Sequence, residues 1–294
     1  MRRRWYWVIP VLLLLFASCE LYYKEPQQTG TLYLVSIGIS YENTPDTLKG
    51  TVPDARELSA ALEAHAEYAG WKVETTLLLQ PQDEAVYASK ANLELVLKDI
   101  NDNATEHDLT IITYSGHGEN ETGNLVMADT AIVTPSWLHD RIVSIKGRKI
   151  LIVDSCYSGN FVNESLFSSS WVTNKDIISY YEMYGTAGTY ENPSFMVLTA
   201  SADTDSYERE FGDHSHGIFT SALLEALGWD HNSLTIANGA PPATKGNSLT
   251  VDSLYTYIKK HQVLPVRWSL FTMGQNIQHP MVTGGAMDMV LFTY

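Results

Sequence analysis

From Thr31 onward the chain alternates short apolar runs with longer stretches of helical periodicity. Thr31–Ile39, TLYLVSIGI, is β-rich and almost wholly apolar, and reads as a strand. Thr51–Tyr68 follows as a helix, with Pro53 in its first turn and Leu58, Leu62 and His65 on one face. The rhythm then repeats: a strand over Trp71–Leu79, a helix over Ala88–Asn101, a strand over Asp108–Tyr114, a helix over Pro135–Val143 and a strand over Arg148–Asp154. Strands alternating with helices at this spacing predict an α/β fold, a mostly parallel sheet with helices on both faces. Such sheets hold their sites beyond the carboxyl ends of the strands. The rhythm breaks at a polar, serine- and tyrosine-rich stretch over residues 160–193, expected to be a long loop. It resumes with a strand over Ser194–Ala200, helices over Gly217–Leu227 and Thr250–His261 separated by a Gly-, Pro- and Asn-rich loop (230–248), and a last strand over Met287–Phe292. There is no internal repeat and no mark of a second domain, so residues 31–294 are expected to form a single domain.

The first residues follow a different logic. Three arginines precede an apolar run from Trp5 to Phe16, and Ala17 and Ser18 then lead to Cys19. A basic start, a short apolar stretch and small residues make a secretory signal, and the run falls short of the roughly 20 residues needed to cross a bilayer. Small residues just before a cysteine resemble a bacterial lipobox, which implies removal of residues 1–18 and acylation of Cys19. Residues 19–30 then read as a tether, and the protein is expected outside the cytoplasm, lipid-anchored to a membrane of the cell envelope.

Composition changes the picture in two ways. Of 294 residues, 45% are hydrophobic and 18% charged, enough apolar content for a packed core and too much for a disordered chain. The net charge of −15 becomes −18 if residues 1–18, with three arginines and no acids, are removed. Nucleic acid is therefore excluded as a partner class, and a cationic substrate suits the field. The chain has two cysteines, so lipid on Cys19 would leave Cys156 without an intramolecular partner for a disulfide.

Two segments each place a reactive side chain just past an apolar strand with glycine beside it: Ile111-Ile-Thr-Tyr-Ser-Gly-His117-Gly118 and Ile150-Leu-Ile-Val-Asp154-Ser-Cys156-Tyr-Ser-Gly159. A thiol becomes a strong nucleophile on ionisation, and a histidine near its ordinary pKa of about 6.5 is a natural base for it. If the two strands are neighbours, His117 and Cys156 emerge on one edge. Glycine beside such a pair lets backbone N–H groups approach a developing oxyanion.

Together, Tyr114-Ser-Gly-His-Gly118 and Asp154-Ser-Cys-Tyr-Ser-Gly159 resemble the paired motifs of the caspase-like cysteine peptidases, nearest the metacaspases and their bacterial relatives. Leu48-Lys-Gly-Thr-Val-Pro-Asp54-Ala, Leu198-Thr-Ala-Ser-Ala202 and Gly217-Ile-Phe-Thr220 agree with that family in order. The resemblance implies a caspase-like α/β/α sandwich, His117 as base, Cys156 as nucleophile, and the N–H groups of Gly118 and Cys156 as oxyanion hole. Caspases that select aspartate place an arginine and a glutamine where this chain has Leu48 and Asp154, neither of which welcomes an acid. Metacaspases hold arginine or lysine with acidic groups, and Asp54 and Asp154, with Ser115 beside them, match those positions. The expected reaction is endopeptidase cleavage of proteins or peptides after Arg or Lys.

The sequence also departs from the family. Tyr157 stands where metacaspases carry a histidine, and Thr51 where a cysteine is usual. The acidic pair of the metacaspase calcium site has no counterpart over 133–136, and Asp129 alone is a thin basis for calcium, which takes 6 to 8 oxygens, so no metal or other cofactor is expected. His214 and His216 lack a third ligand in sequence and are expected as polar loop groups lining a cleft. Asp54 can alternatively serve as a helix cap. Lys175 falls where many relatives cut themselves, although a solvated lysine is the simpler reading and is preferred. Two other readings stand beside the peptidase: a silent caspase-fold module acting by interaction at a membrane, and a different cysteine hydrolase or transferase on a related scaffold.

Overall fold

The computed structural model describes residues 30–81, 85–161, 194–202, 204–211, 214–237, 239–262, 278, 280–284 and 287–294. Cys19, Lys175, the signal and most of both the tether and the 160–193 stretch lie outside the described residues. Seven strands form the central sheet: β1 (Thr31–Ile39), β2 (Lys72–Gln80), β3 (Val86–Tyr87), β4 (Leu109–Ser115), β5 (Arg148–Asp154), β6 (Phe195–Thr199) and β7 (Met281–Gly284). Their order is β7-β6-β5-β4-β1-β2-β3, and every pairing is parallel except β6 with β7. Among the described residues five helices flank them: α1 (Thr51–Tyr68), α2 (Lys90–Asn103), α3 (Pro135–Val143), α4 (Ile218–Ala226) and α5 (Val251–His261). None of the described helices is long and apolar enough to cross a membrane.

Continuous burial along β1, β4 and β5 shows why these strands carry unbroken apolar runs: parallel strands covered by helices have no solvent face. Successive side chains nevertheless serve opposite cores. Leu32, Leu34, Ile111 and Ile150 pack with Leu58 and Leu62 of α1, Phe219 of α4 and Leu254 of α5. Val35, Ile37, Ile112 and Leu151 pack with Leu93 and Leu97 of α2 and Leu138 and Ile142 of α3. Inside this apolar sheet, one buried pair of hydroxyls, Ser36 and Thr113, satisfies itself across β1 and β4 at 2.8 Å.

Helix starts follow local chemistry where it is present. Ser89 caps α2, Thr134 caps α3 ahead of Pro135, and Thr250 forms a capping box with Ser253 on α5. At α1 the cap is Gly50, which makes no side-chain bond, and Asp54 does not cap the helix. Short pairings lie between the main elements, 125–126 with 132–133, 208–211 with 214–217, and 229–230 with 235–236, the last reaching into the 230–248 stretch expected as a loop. The last strand, Val290–Thr293, pairs with Ser248–Thr250 apart from the central sheet. His214 and His216 thus sit on a strand, and His216 is fully buried, which corrects the expectation of loop residues on a cleft.

Candidate active site

The register of the sheet places the two motifs. Ser115, the last residue of β4, pairs with Asp154, the last of β5, and Gly38 of β1 pairs with Ser115 from the other side. His117 and Cys156 each follow two residues later, so both leave the same carboxyl edge, and the Gly116 N–H donates to the Asp154 carbonyl at 3.3 Å. A cavity of about 280 Å³ opens there, and its wall contains His117, Cys156, Asp54, Ser115 and Asp154. Gly118 is not on that wall. It packs against the backbone of Cys156, so closely that a Cβ at Gly118 would stand 2.1 Å from the Cys156 carbonyl oxygen.

Two tyrosines hold the His117 loop. The Tyr41 hydroxyl accepts the His117 N–H at 2.9 Å and donates to the Val126 carbonyl at 2.6 Å, and the Tyr114 hydroxyl donates to the His117 carbonyl at 2.8 Å. The imidazole lies on the Tyr41 ring, centroids 4.3 Å apart, and Nε2 is 2.7 Å from the Asp46 carbonyl. A carbonyl can only accept, so that bond puts the proton on Nε2 and leaves Nδ1 as the basic nitrogen of the neutral ring.

The Cys156 sulfur meets the Ser206 backbone, accepting its N–H at 3.4 Å. Burial raises the thiol's pKa above its ordinary value, and Asp205 and Asp154 push in the same direction against the Ser206 bond. The resting thiol is therefore held protonated at neutral pH.

Both inner carboxylates are buried and hydrogen-bonded, and Asp154 Oδ1 keeps a lone pair open. Asp54 Oδ2 accepts the Ser115 hydroxyl at 2.7 Å and the Gly217 N–H at 3.1 Å, while Oδ1 lies 2.9 Å from His216 Nδ1. Asp154 Oδ1 accepts the Ser206 hydroxyl at 2.7 Å, and Oδ2 accepts the Thr220 N–H at 3.0 Å and hydroxyl at 2.7 Å. Burial pushes Asp54 up to about 7, with His216 pulling it down and Asp154 adding to the rise. Asp154 is also raised, chiefly by burial. Gly217 lies between the two: a Cβ there would fall 2.1 Å from Asp154 Oδ2 while its N–H serves Asp54.

Three features of the wall escaped the sequence reading. Asp205, Ser206 and Glu208 line the cavity beside Cys156, and Glu208 also accepts the Gly50 N–H at 2.8 Å, tying the 208–217 hairpin to the start of α1. Their only sequence signal is an acidic, polar run just after β6, at the carboxyl edge where sites form. Leu48 and Thr51 stand on the wall too, Thr51 with its hydroxyl donated to the Ile39 carbonyl at 2.8 Å.

Fold and site together define a class: a parallel α/β sheet carrying a thiol and an imidazole on one cavity at its carboxyl edge. The Caspase domain family model matches residues 33–263, and the chain belongs to that family. Metacaspase-4 of Arabidopsis thaliana is 29% identical over 269 residues, covering 84% of this chain and 62% of that protein. Metacaspase-6 of the same plant is 28% identical over 144 residues, 44% of this chain and 38% of that protein. The chain thus spans less than two thirds of the curated relatives it matches. Among solved structures, caspase-1 of Spodoptera frugiperda superposes with a TM-score of 0.50 at 15% identity, covering 90% of this chain and 89% of that one. A protein of Geobacter sulfurreducens gives a TM-score of 0.51 at 15% identity, covering 86% and 94%. At these identities the two structures speak for the fold alone, and they agree with the caspase-like sheet expected from the motifs.

Proposed function

We propose that the chain is a cysteine endopeptidase in which Cys156 attacks the scissile carbonyl, His117 moves the proton, and a basic side chain of the substrate fills the acidic cavity. The observation carrying this reading is that one cavity of about 280 Å³ is lined by Cys156, His117 and four carboxylates, those of Asp54, Asp154, Asp205 and Glu208. His117 takes the thiol proton on Nδ1 as sulfur bonds to carbon, and returns it to the leaving amine; water then hydrolyses the thioester. The Cys156 N–H, on the cavity wall, is assigned to the oxyanion, with the backbone of Gly118 packed directly against it. Asp54 and Asp154 receive the guanidinium, with Ser115 orienting Asp54.

The charges give this site a coupling between binding and activation. Asp205 and Asp154 help hold the thiol protonated. An arginine or lysine set among them offsets that field and lowers the thiol's pKa when substrate is in place. A fluorogenic panel varying only the residue before the cut tests the proposal. Turnover with Arg or Lys should exceed that with Asp by orders of magnitude, and faster turnover with Asp would sink the specificity. Labelling of Cys156 by an arginine-directed electrophile, lost in His117→Ala, tests the dyad itself. We further propose that Cys19 carries lipid and holds the enzyme at a membrane of the cell envelope. Cys19→Ala should then move the chain out of the membrane fraction.

A further inference from the structure

On the far side of Asp54 from the cavity hydroxyl of Ser115, four side chains converge from three separate parts of the fold. Glu57 stands one turn along α1 from Asp54, His216 is on the 214–217 strand, and Trp229 and His231 come from the turn after α4. Glu57 Oε2 lies 3.5 Å from His216 Nε2 and 3.2 Å from His231 Nδ1. The two imidazoles face each other at 4.9 Å between centroids. Among the described residues this is the group of three whose ligand atoms all lie within 4.8 Å of one another.

We propose that Glu57 Oε2, His216 Nε2 and His231 Nδ1 form a binding site for a borderline divalent transition metal, Zn²⁺ foremost. In a tetrahedral site with metal–ligand bonds of about 2.0–2.1 Å, neighbouring ligand atoms stand about 3.3 Å apart. The two Glu–His separations, 3.5 and 3.2 Å, bracket that spacing. Two imidazoles and one carboxylate suit Zn²⁺ and its neighbours in the transition series, and are a poor set for calcium or magnesium, which want oxygen.

The surroundings are those a metal site needs. His216 directs its other nitrogen, Nδ1, to the Asp54 carboxylate at 2.9 Å, which fixes the ring and points Nε2 at the site. The Trp229 indole N–H donates to Glu57 Oε2 at 2.5 Å, orienting the carboxylate while leaving it a lone pair. The fourth position belongs to solvent or to His214, whose Nδ1 is 4.0 Å from Glu57 Oε1. His231 is 25% exposed and lines a second cavity of about 210 Å³, which gives an aquated ion a way in. On coordination the metal replaces the protons on these two nitrogens. That of His216 Nε2 leaves to solvent, and that of His231 moves to its own Nε2.

Because Asp54 bonds His216 with one oxygen and Ser115 with the other, an ion here would brace a carboxylate on the wall of the Cys156 cavity. The site itself does not depend on the peptidase reading. Its test uses the full chain bearing Cys156→Ala, so that the thiol is no rival ligand, stripped with a chelator and titrated with Co²⁺ and Zn²⁺. The expected result is one metal per chain, bound at a Kd of about 1 μM or below, with the visible bands of tetrahedral Co²⁺. Glu57→Gln and His231→Ala should each weaken binding at least tenfold, and Asp54→Asn, one shell out, by about 10- to 100-fold. His231→Ala carries the test because His231 reaches the surface and its removal spares the buried packing; its folded state is checked by circular dichroism. Absence of stoichiometric binding, or binding equally tight in Glu57→Gln and His231→Ala, overturns the proposal.

Discussion

Cys156 is half-buried, and burial raises its pKa, with Asp205 and Asp154 adding to the rise. The thiolate fraction therefore grows with pH beyond the ordinary thiol range. Alkylation by iodoacetamide should keep accelerating above neutrality, and Asp205→Asn should move that rise to lower pH by removing a negative charge. An unmoved profile would show that Asp205 does not act on the sulfur. Gly217 is the second decisive residue. Its Cβ in an alanine variant would meet Asp154 Oδ2 at 2.1 Å, and Asp154 cannot step aside without leaving Ser206 and Thr220. Gly217→Ala should cost roughly 1–3 kcal/mol of stability by overpacking, and lower kcat/KM for an Arg substrate at least tenfold. Thermal unfolding and the fluorogenic assay read the two effects separately. Cys156 and His117 were legible in the sequence because each follows an apolar strand with glycine alongside. Asp205, Ser206 and Tyr41 were not, since nothing local distinguishes a polar residue that folds onto a thiol or an imidazole from one that faces water.

The elements are positioned by a few polar ties as much as by their apolar faces. Asp108, at the start of β4, accepts the Thr31 N–H at 2.7 Å and the Thr105 N–H at 2.6 Å, joining the beginnings of β1 and β4. Burial opposes its ionisation, but these bonds outweigh it and hold the carboxyl below its usual range. A depressed carboxyl contributes stability that is present above its unfolded pKa of about 3.8 and is lost as pH falls through the folded value. Acid unfolding should thus set in below about pH 4, and Asp108→Ala should remove about 1–3 kcal/mol at neutral pH by orphaning the Thr31 N–H. Denaturant titration at pH 7 and at about pH 2.5 checks both; a variant as stable as the parent at pH 7 refutes the tie. Helices α1 to α5 were readable to within about two residues from the rhythm of apolar positions, with Pro53 marking the first turn of α1. The hairpin of 208–211 with 214–217 was not, because its strands are short and charged, and its pairing is set by Glu208 reaching Gly50 and His216 reaching Asp54.

At the scale of the molecule, a net charge of −15 surrounds a cavity that is itself acidic. A cationic peptide should be steered toward it, and the rate should fall as salt screens the field over about 10 Å at 0.1 M. Raising ionic strength from about 20 to 500 mM should lower kcat/KM for an Arg substrate several-fold, and most of the change should lie in KM. An insensitive rate would mean that only the contact carboxylates matter. The sheet that frames this cavity divides two cores, and its carboxyl edge collects β1, β4 and β5 into one rim.

By itself the sequence determined the parallel α/β class, the order of its main strands and helices, and the two motifs that carry Cys156 and His117. Those are properties of local pattern: burial on both strand faces demands apolar runs, and reactive side chains beside glycine demand a strand end. Only the tertiary structure decided what meets what. The pairing of Ser115 with Asp154 set thiol and imidazole on one cavity, Gly217 slipped between two carboxylates 100 residues apart in the chain, and Glu57, His216 and His231 came together. Such encounters are fixed by sheet order and register, which sum many weak contacts far apart in sequence, and no local run of residues records them.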